Sequence, residues 1–184
     1  MGLDMYLSKR HYVKNWKFMQ EDQLHEITVK RGGKPCPHID TAKISHIITD
    51  AAYWRKANHI HNWFVQNVQD GNDDCREYWV SKEKLQELYD ACVLVRDNSK
   101  LKEGKIENGY RFDGEKKIPI IEDGKIIEDP SVAQELLPTA SGFFFGSTDY
   151  DEYYMEDILN TITQLEPLLK DDDDEPEYYY RASW

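Results

Sequence analysis

Alternating apolar and polar positions predict strands at both ends of the chain. Leu3, Met5 and Leu7 alternate with polar residues, so residues 3–8 are predicted to form a first strand. The tyrosine-rich segment 177–184 predicts a last strand, because aromatic residues favour strands. Strands are also predicted at residues 26–31, 44–49 and 76–80. Residues 44–49 fit the first turns of a helix equally well.

Apolar residues recur at helical spacing in three segments, which predicts three packed helices. They are residues 53–69, residues 81–96 after the cap Ser81, and a third helix that is capped by Ser147, Thr148 or Asp149 and ended by Pro167 and the acidic run 171–175. A short helix is expected between Pro130 and Leu137. The segment 141–148, with three phenylalanines between glycines, predicts a buried central strand.

Residues 100–129 differ from the rest in being rich in lysine, glutamate and glycine. Within them Asp123-Gly124 separates two apolar runs, which predicts a two-residue hairpin turn. The predicted fold class is therefore α+β, with a mostly antiparallel sheet, about three packed helices and a β-hairpin insertion. A chain of 184 residues has the size of one domain, and residues 170–184 are expected to form an acidic tail and the final strand.

Segment 53–68 carries more polar and aromatic chemistry than a packing helix requires. On a helical projection, Lys56 and Asn67 fall inside the apolar arc that would face the core. Either both are buried and need partners, from the backbone or from a ligand, or the helix begins later than residue 53.

Side chains in and near this segment could bind a planar anion such as a nucleotide, through stacking planes, cations and amide donors. These candidate ligand-binding residues are Trp54, Arg55, Lys56, Asn58, His61, Trp63 and Asn67. Ser147 and Thr148, near a helix amino terminus, could add donors to a phosphate, but the carboxylates that follow weaken that idea. The simpler interpretation of each tryptophan is a core residue.

Charge separates the two ends of the chain. The net charge is -12, and residues 149–184 hold twelve acids against two bases, so they carry -10 and the first 148 residues carry -2. An acidic surface repels nucleic acid and membranes and favours a basic protein partner. The candidate partner-binding residues are Asp149, Asp151, Glu152, Glu156 and Asp157. The alternative is that this acidity only maintains solubility.

Cysteine usage predicts a reducing compartment, and the lengths of the apolar runs bear on whether a membrane-spanning helix is present. The three cysteines, Cys36, Cys75 and Cys92, are scattered and odd in number, which disfavours a disulfide framework, and the last two are expected to be packed. No apolar run reaches the roughly 20 residues of a membrane-spanning helix, and the amino terminus does not resemble a signal peptide. The expected location is the cytosol.

Motifs for catalysis or cofactor binding are not found in the sequence. His59 and His61 would point together on a strand but diverge by roughly 200° on a helix, and Cys36 and His38 lie among prolines. We therefore predict no catalytic residues, no metal and no cofactor. A metal-dependent hydrolase that uses the two histidines is the least favoured alternative.

Three blocks of sequence resemble a family of small hypothetical proteins from bacteriophages and prophages. They are the opening residues 1–7, the block Tyr53-Trp54-Arg55-Lys56-Ala57-Asn58 with His61-Asn62-Trp63-Phe64, and residues 141–148. The resemblance implies a phage accessory protein in the bacterial cytosol and no catalytic residues. It suggests a counter-defence protein that binds and inhibits a host protein, such as a nucleic-acid-handling defence enzyme. The alternative is a small-ligand binder that sequesters a nucleotide.

Overall fold

A computed structural model describes residues 2–114, 116–142, 145–171 and 176–184. Its strands are β1 (Asp4–Tyr12), β2 (Lys30–Arg31), β3 (Lys34–Pro35), β4 (His46–Arg55), β5 (Tyr78–Val80), β6 (Leu101–Asp113), β7 (Lys116–Ile127) and β8 (Glu177–Ser183). Its α-helices are α1 (Asn58–Asn67), α2 (Lys82–Asn98), α3 (Ser131–Leu136) and α4 (Glu152–Leu169). The predicted α+β class is confirmed.

The main sheet is antiparallel, with the strand order β4-β1-β8-β5. The alternation at the amino end has the predicted effect, because Leu3, Met5 and Leu7 are all buried. The tyrosine-rich end is the inner strand β8, in which Tyr178 and Tyr180 face the core. Both terminal strands are thus confirmed, and they pair with each other.

The helices cover one face of this sheet. The Trp54 indole N–H on β4 donates to the Thr161 hydroxyl of α4 at 2.9 Å. The Phe64 ring of α1 stacks on Tyr180, with centroids 3.8 Å apart. The predicted helix after Ser81 is confirmed, since the Ser81 hydroxyl accepts from the backbone N–H of Lys84 at 3.2 Å. These contacts join the four-stranded sheet and the helices around one core.

The predicted helix over residues 53–69 is wrong at its beginning. Tyr53 lies on β4, opposite Tyr6 of β1, and α1 begins only at Asn58. Lys56 has a φ of 61°, a left-handed conformation that turns the chain between strand and helix. Lys56 and Asn67 are both exposed, so neither is a buried polar group that needs a partner.

The hairpin is present, but its predicted turn is wrong. Asp123 and Gly124 lie inside β7, paired with β6, and the chain reverses after Asp113-Gly114 instead. A Cβ on Gly124 would lie against Ile106 and 2.7 Å from the Glu152 carboxylate. Glycine at this position therefore permits close packing, whereas the sequence pattern alone resembles a turn.

Other boundaries also differ from the predictions. The strand predicted at 26–31 is limited to β2, residues 30–31, and the one predicted at 76–80 is β5, residues 78–80. The segment 44–49 belongs to β4, which begins at His46. Asp151 caps α4, in place of Ser147, Thr148 or Asp149. Pro167 lies within the last turn of the helix, which ends at Leu169. Cys92 is buried, but Cys75 is exposed. The strand predicted over 141–148 includes residues 143 and 144, outside the described ranges, and its described residues form no strand.

Gln164 of α4 closes part of the outer edge of β4. Its side-chain amide accepts from the Tyr53 N–H at 2.8 Å and donates to the Tyr53 carbonyl at 3.0 Å, as a neighbouring strand would. We expect Gln164→Leu to lower the free energy of unfolding by about 1 kcal/mol. Urea denaturation measures this, with Asn160→Leu on the same helix as the control. Equal midpoints for the two variants would contradict this role.

Candidate functional site

A cavity of about 940 Å³ opens beside the amino end of α4. The turn between β4 and α1 and the first turns of α4 line it, together with hairpin residues between Glu107 and Phe112. The loop before α4 contributes Gly142, Phe145, Gly146, Ser147 and Asp149. This volume is within the range of cavities that bind small ligands or peptide side chains. We call it the α4 cavity.

Asn58 holds the loop that shapes the α4 cavity. It is buried, and its amide donates to the carbonyls of Phe145 at 3.2 Å and Ser147 at 2.7 Å. Its carbonyl oxygen accepts from the Ala140 N–H at 3.0 Å. Gly146, with a φ of 98°, lets this loop approach, because a Cβ there would lie 2.9 Å from the Lys56 carbonyl oxygen. The loop is therefore fixed to the start of α1.

Carboxylates dominate the charge of the α4 cavity. Two cations, Arg55 and Lys56, lie at its edge and are exposed. Five acids line it: Glu107, Asp149, Asp151, Glu156 and Asp157. When all five are ionised, the described lining has a formal excess of three negative charges, which favours a cationic ligand over an anionic one.

Asp151 is a buried carboxylate that is only partly satisfied. One of its oxygens accepts from the backbone N–H groups of Tyr153 and Tyr154, both at 3.0 Å, and so caps α4. The other oxygen, Oδ2, is buried and has no hydrogen-bond partner, and the side chain is 1% exposed. Burial raises the pKa of Asp151 and outweighs the two backbone N–H groups, which lower it.

Asp157, six residues further along α4, is a second carboxyl of the cavity. No described residue donates a hydrogen bond to its half-buried carboxyl or forms an ion pair with it. Burial raises the pKa of Asp157 to about 7, and the neighbouring charges of Glu156 and Asp151 add to the rise. Near neutral pH this carboxyl is therefore ready to gain a cationic partner.

His59 is a neutral, buried side chain that also lines the α4 cavity. Its side chain is 2% exposed, and its Nε2 atom has no hydrogen-bond partner. Burial lowers the pKa of His59 to about 3, so the imidazole is uncharged at neutral pH. Its ring lies 4.2 Å from that of Tyr154, which also lines the cavity.

Aromatic rings supply the remaining surface of the α4 cavity. They are Tyr110, Phe112, Phe145, Tyr153 and Tyr154. Phe112, on the hairpin, is 68% exposed, which is high for a phenylalanine. Ring faces beside carboxylates are the surroundings that organic cations prefer in proteins.

The predicted ligand-binding residues separate into two groups in the structure. Arg55, Lys56, Asn58 and Ser147 line the α4 cavity, whereas Thr148 does not. Trp54 and Trp63 are core residues, and the exposed Asn67 donates to the Trp63 carbonyl at 2.8 Å. The two indoles are thus not placed to stack on a ligand. Asn58 lines the cavity, but its hydrogen bonds serve the loop.

His61 belongs to a different, structural cluster. Its Nδ1 atom lies 2.8 Å from the Tyr180 hydroxyl, and its Nε2 atom lies 3.1 Å from a carboxylate oxygen of Asp73, at an angle that is poor for a hydrogen bond. The other Asp73 oxygen accepts from the Trp184 indole at 2.9 Å. His61 therefore joins the last strand to the loop after α1.

Four of the five predicted partner-binding acids line the α4 cavity: Asp149, Asp151, Glu156 and Asp157. The fifth, Glu152, accepts from the Lys125 N–H at 3.3 Å and fixes the base of the hairpin to α4. The sequence predicted the cations and the acids as two separate surfaces, whereas the structure brings most of both sets to one cavity. The sequence did not predict that the hairpin and His59 line this cavity.

In the described ranges, no three His, Cys, Asp or Glu side chains form a group that could hold a metal ion. None of the helices within those ranges has both the length and the apolarity to cross a bilayer. Comparison with known proteins found no matching family model, no matching curated protein and no matching solved structure.

The unusual titration of Asp157 predicts a pH-dependent stability. The pKa in the folded protein, about 7, lies above the ordinary value of 3.8, so folding favours the protonated carboxyl. The protonated Asp157 carboxyl therefore contributes to the free energy of unfolding at low pH, and this contribution is lost as the pH rises through about 7. The charged or titratable groups that share the cavity with it are Glu107, Asp149, Asp151, Glu156, Arg55, Lys56 and His59.

We expect Asp157→Asn to stabilise the protein more at about pH 8 than at about pH 5, with a difference on the order of 2 kcal/mol. Urea denaturation at both pH values measures this difference. Glu156→Gln, at an exposed neighbour on the same helix, is the control and should show little change between the two. A pH-independent effect of Asp157→Asn would mean that its carboxyl titrates normally.

Proposed function

We propose that this protein is a non-catalytic binder that recognises a basic segment of a protein partner through the α4 cavity. The observation that carries the proposal is the pair Asp151 and Asp157, two poorly satisfied carboxyls in one cavity. Buried polar atoms are usually hydrogen-bonded, so a buried Asp151 oxygen without a partner, in the same cavity as a second carboxyl to which no described residue donates, is typical of a site that awaits its ligand. A lysine or arginine side chain supplies the charge and the donors.

The resemblance to phage and prophage proteins supplies the proposed setting. The protein would act in the bacterial cytosol as a counter-defence factor that binds and inhibits a host protein. An enzyme that handles nucleic acid has a basic surface, which the α4 cavity complements in charge. Direct nucleic-acid binding by the acidic face is disfavoured by the same charge.

Neutralising the five acids together is expected to abolish binding to a basic peptide. The variant carries Asp149→Asn, Asp151→Asn, Glu152→Gln, Glu156→Gln and Asp157→Asn. Asparagine at position 151 still caps a helix, so the fold should survive. Calorimetry with a blocked peptide of mixed lysine and arginine should show binding by the unmodified protein that weakens between about 50 and 300 mM salt.

A charge-matched variant controls for the loss of net charge. It neutralises five exposed acids outside the α4 cavity: Glu21, Asp22, Glu26, Asp90 and Glu135. This variant should keep most of the affinity. Binding that survives in the cavity variant at low salt, or that falls equally in both variants, would rule out the α4 cavity as the contact.

A small anionic ligand is a second candidate, because Arg55 and Lys56 both line the cavity. A ligand that binds only the folded state raises the melting temperature. On this candidate, a nucleotide would shift melting in the unmodified protein and not in Lys56→Ala. The five carboxylates make the basic peptide the better-supported ligand.

A further inference from the structure

We infer that the inner wall of the α4 cavity is a subsite for a single guanidinium group, provided by an arginine side chain of the partner. The inference rests on the proposed function and names the chemical group that the site selects. Three side chains define this arginine subsite: Asp151, Asp157 and His59.

These three side chains lie around one residue, Tyr154. Asp151 caps the helix three positions before Tyr154, and Asp157 lies three positions after it, so each is a neighbour of Tyr154 on the helix surface. The His59 ring packs against the Tyr154 ring, with centroids 4.2 Å apart. The subsite therefore joins the start of α4 to the start of α1.

Each of the three offers an atom that can accept a hydrogen bond. Asp151 Oδ2 and His59 Nε2 are buried without partners, on side chains that are 1% and 2% exposed. Asp157 adds a carboxyl that no described residue donates to. A buried polar atom without a partner costs roughly 1–3 kcal/mol, so a ligand with several donors is favoured at this wall.

A guanidinium group fits these acceptors better than an ammonium group does. It is planar, carries five N–H donors in a fixed fork, and loses its hydration more readily. Its faces stack on aromatic rings, and Tyr154, Tyr153 and Phe145 line the same cavity. An ammonium group is compact and strongly hydrated, so it benefits less from flat aromatic walls.

The two cations of the cavity do not occupy this subsite. Arg55 is exposed, and its Nε atom lies 3.9 Å from an Asp4 carboxylate oxygen, on the other side of β4 from the core. Lys56 is exposed at the turn before α1. Neither cation therefore forms an ion pair with Asp151 or Asp157.

The test compares blocked tri-arginine, tri-lysine and tri-citrulline peptides by calorimetry at one salt concentration. Tri-citrulline has the shape of tri-arginine without its charge. We expect tri-arginine to bind at least about tenfold more tightly than tri-lysine and tri-citrulline not to bind. Methylguanidinium should displace tri-arginine, and methylammonium at equal concentration should not.

Asp157→Asn and Asp151→Asn should each remove the preference for arginine over lysine. Neither variant is expected to unfold, because one loses a destabilising charge and the other keeps a capping side chain. Glu156→Gln, which removes one exposed charge from the same cavity, should weaken both peptides equally and keep the preference. Circular dichroism confirms the fold of each variant.

The outcomes separate this inference from the proposed function. If tri-lysine binds as tightly as tri-arginine and both need the cavity acids, the arginine subsite is refuted and the basic-segment binder stands. If neither peptide binds, both are refuted. Displacement of tri-arginine by micromolar Mn²⁺ would also overturn the inference, because the acceptors would then be metal ligands.

Discussion

Replacing Asn58 with alanine is expected to lower the free energy of unfolding by about 3 kcal/mol. The substitution removes three hydrogen bonds and leaves the Ala140 N–H and two carbonyls of the cavity loop without their partner. Buried groups that lose a partner carry the full cost of desolvation. Urea denaturation followed by far-ultraviolet circular dichroism measures the change.

Asn62→Ala is the matched control for this prediction. Asn62 lies on the same helix, and its amide donates to the Pro138 carbonyl at 3.1 Å in an exposed position. We expect it to cost less than about 1 kcal/mol. If Asn58→Ala were no more destabilising than Asn62→Ala, the positions of Ala140, Phe145 and Ser147 would not depend on Asn58.

Shortening the hairpin is expected to abolish binding of the basic peptide while the fold is kept. In this variant an Asn-Gly turn replaces residues 105–123 and joins the paired residues Gly104 and Gly124. The cavity loses the wall that carries Glu107, Tyr110 and Phe112. We expect the Kd for tri-arginine to rise by a factor of at least about 30, which corresponds to roughly 2 kcal/mol.

Net charge cannot explain such a loss. Residues 105–123 contain five acids and four bases, so their removal changes the net charge by one, from -12 to -11. The base of the hairpin stays attached, because the Ile127 N–H donates to the Tyr150 carbonyl at 2.9 Å outside the removed segment. Binding that is unchanged in a folded variant of this kind would show that the hairpin wall is not part of the site.

Local patterns predicted those elements whose formation depends on neighbours in sequence. The alternation in residues 3–8 and the tyrosines of β8 identified two strands, and Ser81 marked the start of α2. In each case one apolar face or one cap is sufficient to define the element. Neither the pairing of β1 with β8 nor the position of β8 inside the sheet can be obtained from such patterns.

Elements that depend on distant contacts were predicted less well. Helical periodicity across residues 53–57 is real in sequence, but pairing with β1 makes Tyr53 to Arg55 a strand. Asp123-Gly124 resembles a turn, yet its glycine serves close packing against Glu152 and Ile106. In both cases tertiary packing overrides the local preference.

The candidate site was predicted only in part, because it too depends on contacts between segments that are distant in sequence. Arg55, Lys56 and four of the carboxylates were identified by type, because the charge of a side chain can be taken directly from the sequence. Their meeting in one cavity was not, since it requires the loop held by Asn58 and the hairpin wall. His59 was missed as a cavity residue because nothing in its sequence context indicates burial beside Tyr154.

The titration of the Asp157 carboxyl, followed by carbon NMR with and without tri-arginine, tests the central claim most directly. A cation bound at this carboxyl favours its charged form, so saturation with peptide should lower the pKa of Asp157 from about 7 toward the ordinary value of 3.8. The Asp22 carboxyl, exposed and outside the cavity, provides the internal reference. An unchanged Asp157 titration in the saturated complex would contradict the account, because the bound cation would then lie elsewhere.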